Sequence, residues 1–371
     1  MNPAYELKDT SSIFTPALLF YKDLIRRNIA RAVEIARSPS RLRPHAKTHK
    51  TREIIRLELD AGITKHKCAT LAEAEMIASC GVADVLLAYP MVGPNCHRLA
   101  KLAAAYHSTR FGALADSLLG VQQLSAAMVE MGAEIDVLLD VDVGMHRTGI
   151  APDERAIDLY QQIAQLPGLQ PGGLHAYDGH NNQESLADRQ AAVRDQFAPV
   201  LALRSTLESK GLPVPRLVAG GTPTFTVCAS LDWPGLECSP GTFVLHDHGY
   251  STRYPDLGFT PAALLLTRVI SKPAGNRLTL DLGYKAVASD PPAGNRCILL
   301  NLSEYQPVLH SEEHLVVETP EADHFSPGDP LYAMPAHICP TCAMHRQALV
   351  VENGQVTGRW DIVARDRILT V

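Results

Sequence analysis

The chain has 371 residues, 46% of them hydrophobic and 20% charged, with a formal net charge of −6. That composition is ordinary for a folded globular protein and argues against disorder, and the acidic balance lacks the basic field that nucleic-acid binding draws on. The opening stretch MNPAYELKDTSS has no basic n-region or apolar core and no apolar run reaches the length of a bilayer span, so the expectation is a cytoplasmic protein with no nucleic-acid and no membrane partner.

The length suggests about two domains. From residue 40 to residue 245, short β-type runs alternate with helical stretches, the pattern of βα units around a parallel sheet. The runs are LRPHAK from Leu42, ITKHKCA from Ile63, DVLLAY from Asp84, TRFGALA from Thr109, IDVLLDV from Ile135, GGLHAY from Gly172, PRLVAG from Pro215 and LECSPG from Leu236. Between them, LAEAEMIASCG from Leu71 and RAIDLYQQIAQ from Arg155 repeat apolar residues at three- and four-residue steps, as helices do. Eight such units predict an α/β fold, a (β/α)8 TIM-type barrel spanning residues 21–255. A doubly wound open sheet is the competitor, but no Gly-x-Gly-x-x-Gly turn follows the first run.

After residue 256 the texture changes to short β runs separated by Gly, Pro and Asn-Gly turn signals: AALLLTRVIS, RLTLDLG, RCILLNL, HLVVET, ALVVENGQV and RWDIVAR. Asn353-Gly354 reads as a hairpin turn. Residues 256–371, joined by residues 1–20 through the run Thr15–Phe20, are expected to form an all-β C-terminal domain. Eight cysteines without a secretory signal read as reduced thiols, with Cys68, Cys80, Cys96, Cys228, Cys238 and Cys297 as packing groups.

In such a barrel the working residues come from the C-terminal ends of the strands. The first run ends in His45-Ala46-Lys47-Thr48-His49, a lysine between two histidines. Nearby cations favour its neutral amine, the form that attacks a carbonyl to make a Schiff base, although taken alone the segment also fits a solvated basic loop. The fifth run leads into GMHRTG with Arg147, and the sixth into HAYDGH with Tyr177 and His180. After the seventh and eighth runs come Gly220-Gly221-Thr222 and Gly241-Thr242, small residues whose backbone N–H groups suit a phosphate, though each stretch also reads as a tight turn. A phosphorylated aldehyde that needs a lysine is pyridoxal 5'-phosphate. Arg147 suits its phenolic oxygen or a substrate carboxylate, and Tyr177 its ring nitrogen.

A second cluster is His337-Ile338-Cys339-Pro340-Thr341-Cys342-Ala343-Met344-His345. On a strand, His337 and Cys339 share a face and make an open two-ligand metal site. Cys339, Cys342 and His345 alternatively contribute to a closed zinc site or a redox pair.

The motifs RPHAKTHK, ATLAEAE, GMHRTG, HAYDGH, GGTPT, ECSPGTF and HIC, in that order, resemble the D-threonine aldolase and D-serine dehydratase group of alanine-racemase-fold (fold type III) pyridoxal-phosphate enzymes. The resemblance implies Lys47 as the Schiff-base lysine, Arg147 at the cofactor oxygen and Tyr177 at the ring nitrogen. It further implies Gly220, Gly221, Thr222, Gly241 and Thr242 at the phosphate, His337 and Cys339 on a divalent ion, and a homodimer. The best-known bacterial aldolases resemble His-x-Asp at the metal and use manganese, whereas His-x-Cys is similar to the zinc-dependent dehydratases, and a thiolate prefers zinc.

The activity implied is retro-aldol cleavage of a small D-β-hydroxy-α-amino acid, D-threonine to glycine and acetaldehyde, with His180 or a metal-bound water taking the hydroxyl proton. The alternative is dehydration of D-serine to pyruvate and ammonia, with Lys47 removing the α-proton. Alanine racemase is a weaker enzyme rival, and a non-catalytic pyridoxal-phosphate-binding protein is the reading from another class.

Overall fold

The computed structural model describes residues 2–371. The chain divides into two compact units, one of residues Ala32–Lys47, Ile54–Gly241 and Asp366–Val371, the other of Met1–Arg31, Thr48–Glu53 and Thr242–Arg365. In chain order the strands are β1 (Ala17–Tyr21), β2 (Lys65–Cys68), β3 (Asp84–Pro90), β4 (Arg110–Ala115), β5 (Ile135–Asp140), β6 (Leu169–Ala176), β7 (Leu217–Ala219) and β8 (Leu236–Cys238), followed by β9 (Ala263–Ala274), β10 (Arg277–Leu280), β11 (Cys297–Leu299), β12 (Gln306–His310), β13 (Leu315–Glu318), β14 (Pro330–Pro335), β15 (Gln347–Glu352) and β16 (Gln355–Asp361). Strands β2 to β8 form one parallel sheet in sequential order.

Seven of the eight expected barrel runs are therefore ladder strands. The eighth, at Leu42, differs: it joins β8 and β2 through isolated parallel bridges, Leu42 with Cys238 and His45 with Lys67. Pro44 has no N–H to donate, so a regular ladder is not available to it. Its carbonyl still accepts from Lys67 N–H (2.8 Å), and the N–H groups of Arg43, His45 and Ala46 reach the carbonyls of Cys238, Pro240 and Lys67 (2.8, 2.9 and 2.8 Å). The segment thus closes the ring between its last and first strands.

The helices begin and end where their sequences say they must. In α1 (Leu71–Ser79) the Thr70 hydroxyl accepts from Glu73 N–H (3.2 Å), and the Glu73 carboxylate accepts from Ala69 N–H (2.6 Å), a reciprocal cap. In α2 (Leu118–Met131) Ser117 caps the start and Gly132, at φ 61°, ends it in the left-handed conformation.

The barrel interior is layered. Arg43 donates to Glu237 (2.5 Å) and Asp84 (2.7 Å), Lys65 to Glu237 (2.7 Å), and Arg216 to Asp84 (3.4 Å) and Asp136. Apart from Arg43–Glu237, which joins the closing segment to its neighbour β8, these bonds connect non-adjacent strands, so they run through the inside of the ring. Two residues further along their strands, Leu86, Leu138 and Val218 join Leu114 in an apolar cluster, as the period of two requires. One step beyond lie Asp140 and His175.

In the other unit β1 pairs antiparallel with β9 and parallel with β15, so the N-terminal run does supply a strand to the β-rich sheet. The order is β12-β13-β10-β9-β1-β15-β16, with β14 also on β9 and β11 on β14. Asn353 and Gly354, at φ 52° and 72°, form the two-residue turn between β15 and β16, the geometry that Asn-Gly favours. Strands β12 and β14 have no counterpart among the expected runs; Pro307, Pro330 and Pro335 obscure them. Among the described residues no helix is long and apolar enough to cross a membrane.

Arg43 is fully buried between two carboxylates, so its replacement strands charge in the core. Arg43→Met is expected to cost about 3–5 kcal/mol, seen as a lowered midpoint in thermal circular dichroism. Burial raises the pKa of Asp84 and Glu237, but Arg43 outweighs it and holds both below the ordinary carboxylate range. With depressed folded pKa values, their contribution is full above the unfolded range and disappears as pH falls through the lower folded values. The acid limb of the wild-type stability curve should therefore flatten in Arg43→Met, and an unchanged limb would contradict the network.

Candidate active site

Lys47 follows directly on the closing segment, with its N–H on His45 Nδ1 (3.3 Å). Its Nζ lies 5.8 Å from the centre of the Tyr177 ring, which the chain presents just beyond β6. Two further cations share that ring: Lys67 Nζ at 5.9 Å and the Arg147 guanidinium at 4.9 Å. Three of the expected residues, Lys47, Arg147 and Tyr177, are thus brought together at the C-terminal ends of the strands.

Arg147 is delivered by a tight loop after β5. Asp142 N–H bonds Ile150 O (3.0 Å) and Ile150 N–H bonds Asp140 O (2.9 Å), pinching the loop shut. Gly149, at φ 100°, permits this, since a Cβ there would stand 2.8 Å from Asp142 N. His146 turns away, exposed, with Nδ1 on Asp142 (2.7 Å). Below Arg147 the Asp140 carboxylate takes bonds from Thr148 Oγ1 (2.8 Å) and His175 Nδ1 (2.7 Å). Burial works against the charge on both partners: it lowers the His175 pKa, whereas for Asp140 the bonds from His175 and Thr148 prevail and lower it too. The pair is an ionised carboxylate holding a neutral imidazole.

The small residues after β7 and β8 are placed close to one another. Gly241 N–H donates to Thr222 Oγ1 (3.2 Å), and Gly221 N–H donates to Asp178 Oδ1 (3.2 Å). Gly220 has φ 78° and its Cβ would press Cys228 at 3.1 Å; a Cβ on Gly221 would meet the Tyr177 ring at 3.1 Å. Thr242 is buried and opens a short 3-10 turn, Thr242–Val244. His180 lies beside the Arg147 loop, its Nε2 3.4 Å from where a Gly144 Cβ would stand, and its Nδ1 is buried without a hydrogen-bond partner among the described residues.

The second cluster departs from the strand geometry expected for it. β14 ends at Pro335, and His337 is the N-cap of α3 (Ile338–Met344), with Cys339 in its first turn. Pro340 fits there because first-turn N–H groups have no helical partner. His337 and Cys339 nevertheless interact electrostatically, and His337 Nδ1 bonds Asp290 Oδ2 (2.5 Å). Burial opposes a charged imidazole, but Cys339 and then Asp290 raise His337 to about 9. Burial likewise opposes the thiolate, yet His337, Thr48 (3.2 Å) and Thr242 (3.6 Å) lower the Cys339 pKa. The four-ligand arrangement is not formed: His345 Nε2 bonds Ala286 O (2.8 Å), and burial pushes the Cys342 thiol well up. Among the described residues no group of three or more His, Cys, Asp or Glu is placed to hold a metal. None of the eight cysteines forms a disulfide among the described residues, and only Cys80 and Cys339 are partly exposed.

Lys67 and Asp290 were not singled out from the sequence, and Asp140, His175 and Asp178 stand in the polar strand ends without a role assigned there. Lys67 had a signal, since Lys65 and Lys67 alternate on one strand face.

Residues 22–244 match the family described as "Alanine racemase, N-terminal domain", and residues 262–351 match the one described as "Putative serine dehydratase domain". The fold and its site define a pyridoxal-phosphate-dependent lyase of alanine-racemase-like architecture. The chain belongs to the alanine racemase N-terminal domain family. It is similar to the D-threonine aldolase of Arthrobacter sp, 32% identical over 87% of this chain and 85% of that protein. It is also similar to the 3-hydroxy-D-aspartate aldolase of Paracoccus denitrificans (strain Pd 1222), 28% identical over 98% of this chain and 95% of the relative. Among solved structures, the D-threonine aldolase from Filomicrobium marinum superposes with a TM-score of 0.88 at 26% identity, covering 97% of this chain and 98% of that one.

Gly179 leaves no room beside Tyr177, because a Cβ would meet the ring at 2.4–2.5 Å. Gly179→Ala should push the ring off its position at a cost of about 1–3 kcal/mol, read as an altered near-ultraviolet dichroism signal with secondary structure intact. An unchanged spectrum would show that the ring is not confined there.

Proposed function

We propose that this chain is a D-threonine aldolase-like enzyme that cleaves small D-β-hydroxy-α-amino acids, D-threonine giving glycine and acetaldehyde. The observation that carries the reading is the convergence of Lys47 and Arg147 on the Tyr177 ring. The donor set suits pyridoxal 5'-phosphate: an amine, a guanidinium, an aromatic ring, and a Gly220-Gly221 turn where a side chain would collide with Cys228 or Tyr177. The unpartnered buried Nδ1 of His180 is a further polar group turned to use by a ligand.

When bound, pyridoxal phosphate supplies an aldehyde for the lysine amine and an electron sink for charge developing at the substrate's Cα. Lys47 would hold the cofactor, Arg147 and Tyr177 would orient its ring, and Gly220, Gly221, Thr222, Gly241 and Thr242 would hold its phosphate. His337 and Cys339 would hold a divalent ion, zinc in preference to manganese because of the thiolate, and the ion would supply Lewis acidity at the β-hydroxyl. His180 accepts the hydroxyl proton on a ring nitrogen. The Cα–Cβ bond then breaks, the β-oxygen becomes a carbonyl, and a proton delivered to Cα completes glycine. The proposed working form is a cytoplasmic homodimer.

A second reading, D-serine dehydratase, is favoured by one observation: the His337–Cys339 pair lies within residues 262–351, the stretch that matches the serine dehydratase domain. In it Lys47 removes the α-proton and the β-hydroxyl departs. Proton NMR of purified protein with pyridoxal phosphate, zinc and D-threonine separates the two. Glycine with acetaldehyde supports the aldolase, 2-oxobutyrate with ammonia replaces it by the dehydratase, and unchanged D-threonine would contradict both. Asp290 orients the His337 ring through Nδ1, so Asp290→Ala should weaken zinc binding about 10- to 100-fold in equilibrium dialysis. Equal affinity would remove Asp290 from the site.

A further inference from the structure

Lys67 is a buried group beside the Tyr177 ring that the proposed mechanism leaves unused. It stands inward on β2, two residues past Lys65, and is 3% exposed. Its Nζ makes no hydrogen bond and no ion pair to a carboxylate among the described residues; its nearest defined contact is the face of Tyr177 at 5.9 Å. Buried ammonium groups are costly unless paired. Around Tyr177 the cations are Lys47, Lys67 and Arg147, whereas the carboxylates near Lys67 are committed elsewhere, Asp140 to His175 and Thr148, Asp178 to Gly221 and Asn181. Burial first, then the charge of Lys47, lowers the Lys67 pKa to about 7, which an incoming anion would reverse.

We propose that Lys67 is a ligand-contact residue that binds an anionic oxygen, contributed by the α-carboxylate of the amino acid or by the ring oxygen of the cofactor. The inference rests on the cofactor reading above. Arg147 is a single guanidinium, and a substrate carboxylate and a cofactor oxygen are two anions. Lys67 is another cation on the same ring, buried where Arg147 is exposed, and it makes a charge-assisted bond to whichever of the two Arg147 does not take.

The test compares the wild-type holoenzyme with Lys67→Met and Lys67→Arg, each reconstituted with pyridoxal phosphate and titrated by visible absorbance with D-alanine and with ethylamine, which has no carboxylate. If the carboxylate is the partner, Lys67→Met weakens D-alanine about 10- to 100-fold and leaves ethylamine and cofactor affinity unchanged. If the ring oxygen is the partner, cofactor affinity falls by a similar factor and both amines shift equally. Either result supports the proposal, provided that Lys67→Arg recovers part of the loss. Equal binding by wild type and Lys67→Met overturns it, as does a loss that Lys67→Arg shares in full, which marks a packing role. Should Lys67→Met fail to fold, Lys67→Gln takes its place in the same comparison. A wild type that binds no cofactor refutes the cofactor reading itself, a result distinct from equal binding by coloured wild type and variant.

Discussion

The position of Lys47 depends on how residues 42–46 are gripped between the last and first strands of the barrel. Four backbone hydrogen bonds and the Ser239 hydroxyl on Arg43 O (2.8 Å) hold the segment. Proline at position 44 keeps it from being an ordinary strand. Arg43 then anchors it from inside the ring through Glu237 and Asp84. With its N-terminal end fixed in the core and its carbonyls bonded to both neighbours, the segment delivers residue 47 at the end where parallel barrels carry their chemistry.

The same alternation that points Arg43 inward organises charge along the barrel. At one end, Arg43, Lys65, Arg110 and Arg216 are each bonded to one or more of Asp84, Asp136 and Glu237. An apolar layer of Leu86, Leu114, Leu138 and Val218 separates that network from the other end. There the balance is different: three cations face one aromatic ring, and the nearby carboxylates are held by His175, Thr148, Gly221 and Asn181. In the structural network every cation is bonded to a carboxylate, whereas a site for an anionic cofactor and an amino acid keeps cations in reserve.

Much of this was legible in the sequence because each barrel run is a short apolar stretch followed by a helical period, and parallel strands buried on both faces read that way. The motif residues Lys47, Arg147 and Tyr177 lie just after such runs, so the barrel brings them together. The ionic layer was not legible, since Arg43 and Glu237 are 194 residues apart and Arg216 and Asp84 are 132 apart, and nothing local marks them as partners. Prolines account for the local errors. Pro335 and Pro340 flank His337 and Cys339, so a strand period was assumed where the chain turns into the first turn of a helix. Asp290, 47 residues before His337, sits outside any strand or helix and carries no periodic signal.

The central claim is that Lys47, and no other lysine of the barrel, is the amine that holds the cofactor. Borohydride reduction of the pyridoxal-phosphate-loaded protein, followed by proteolysis and mass spectrometry, tests it directly. The account predicts one pyridoxyl label, on Lys47, with Lys50, Lys65 and Lys67 unmodified. A label on Lys67, or no stable label, would contradict it.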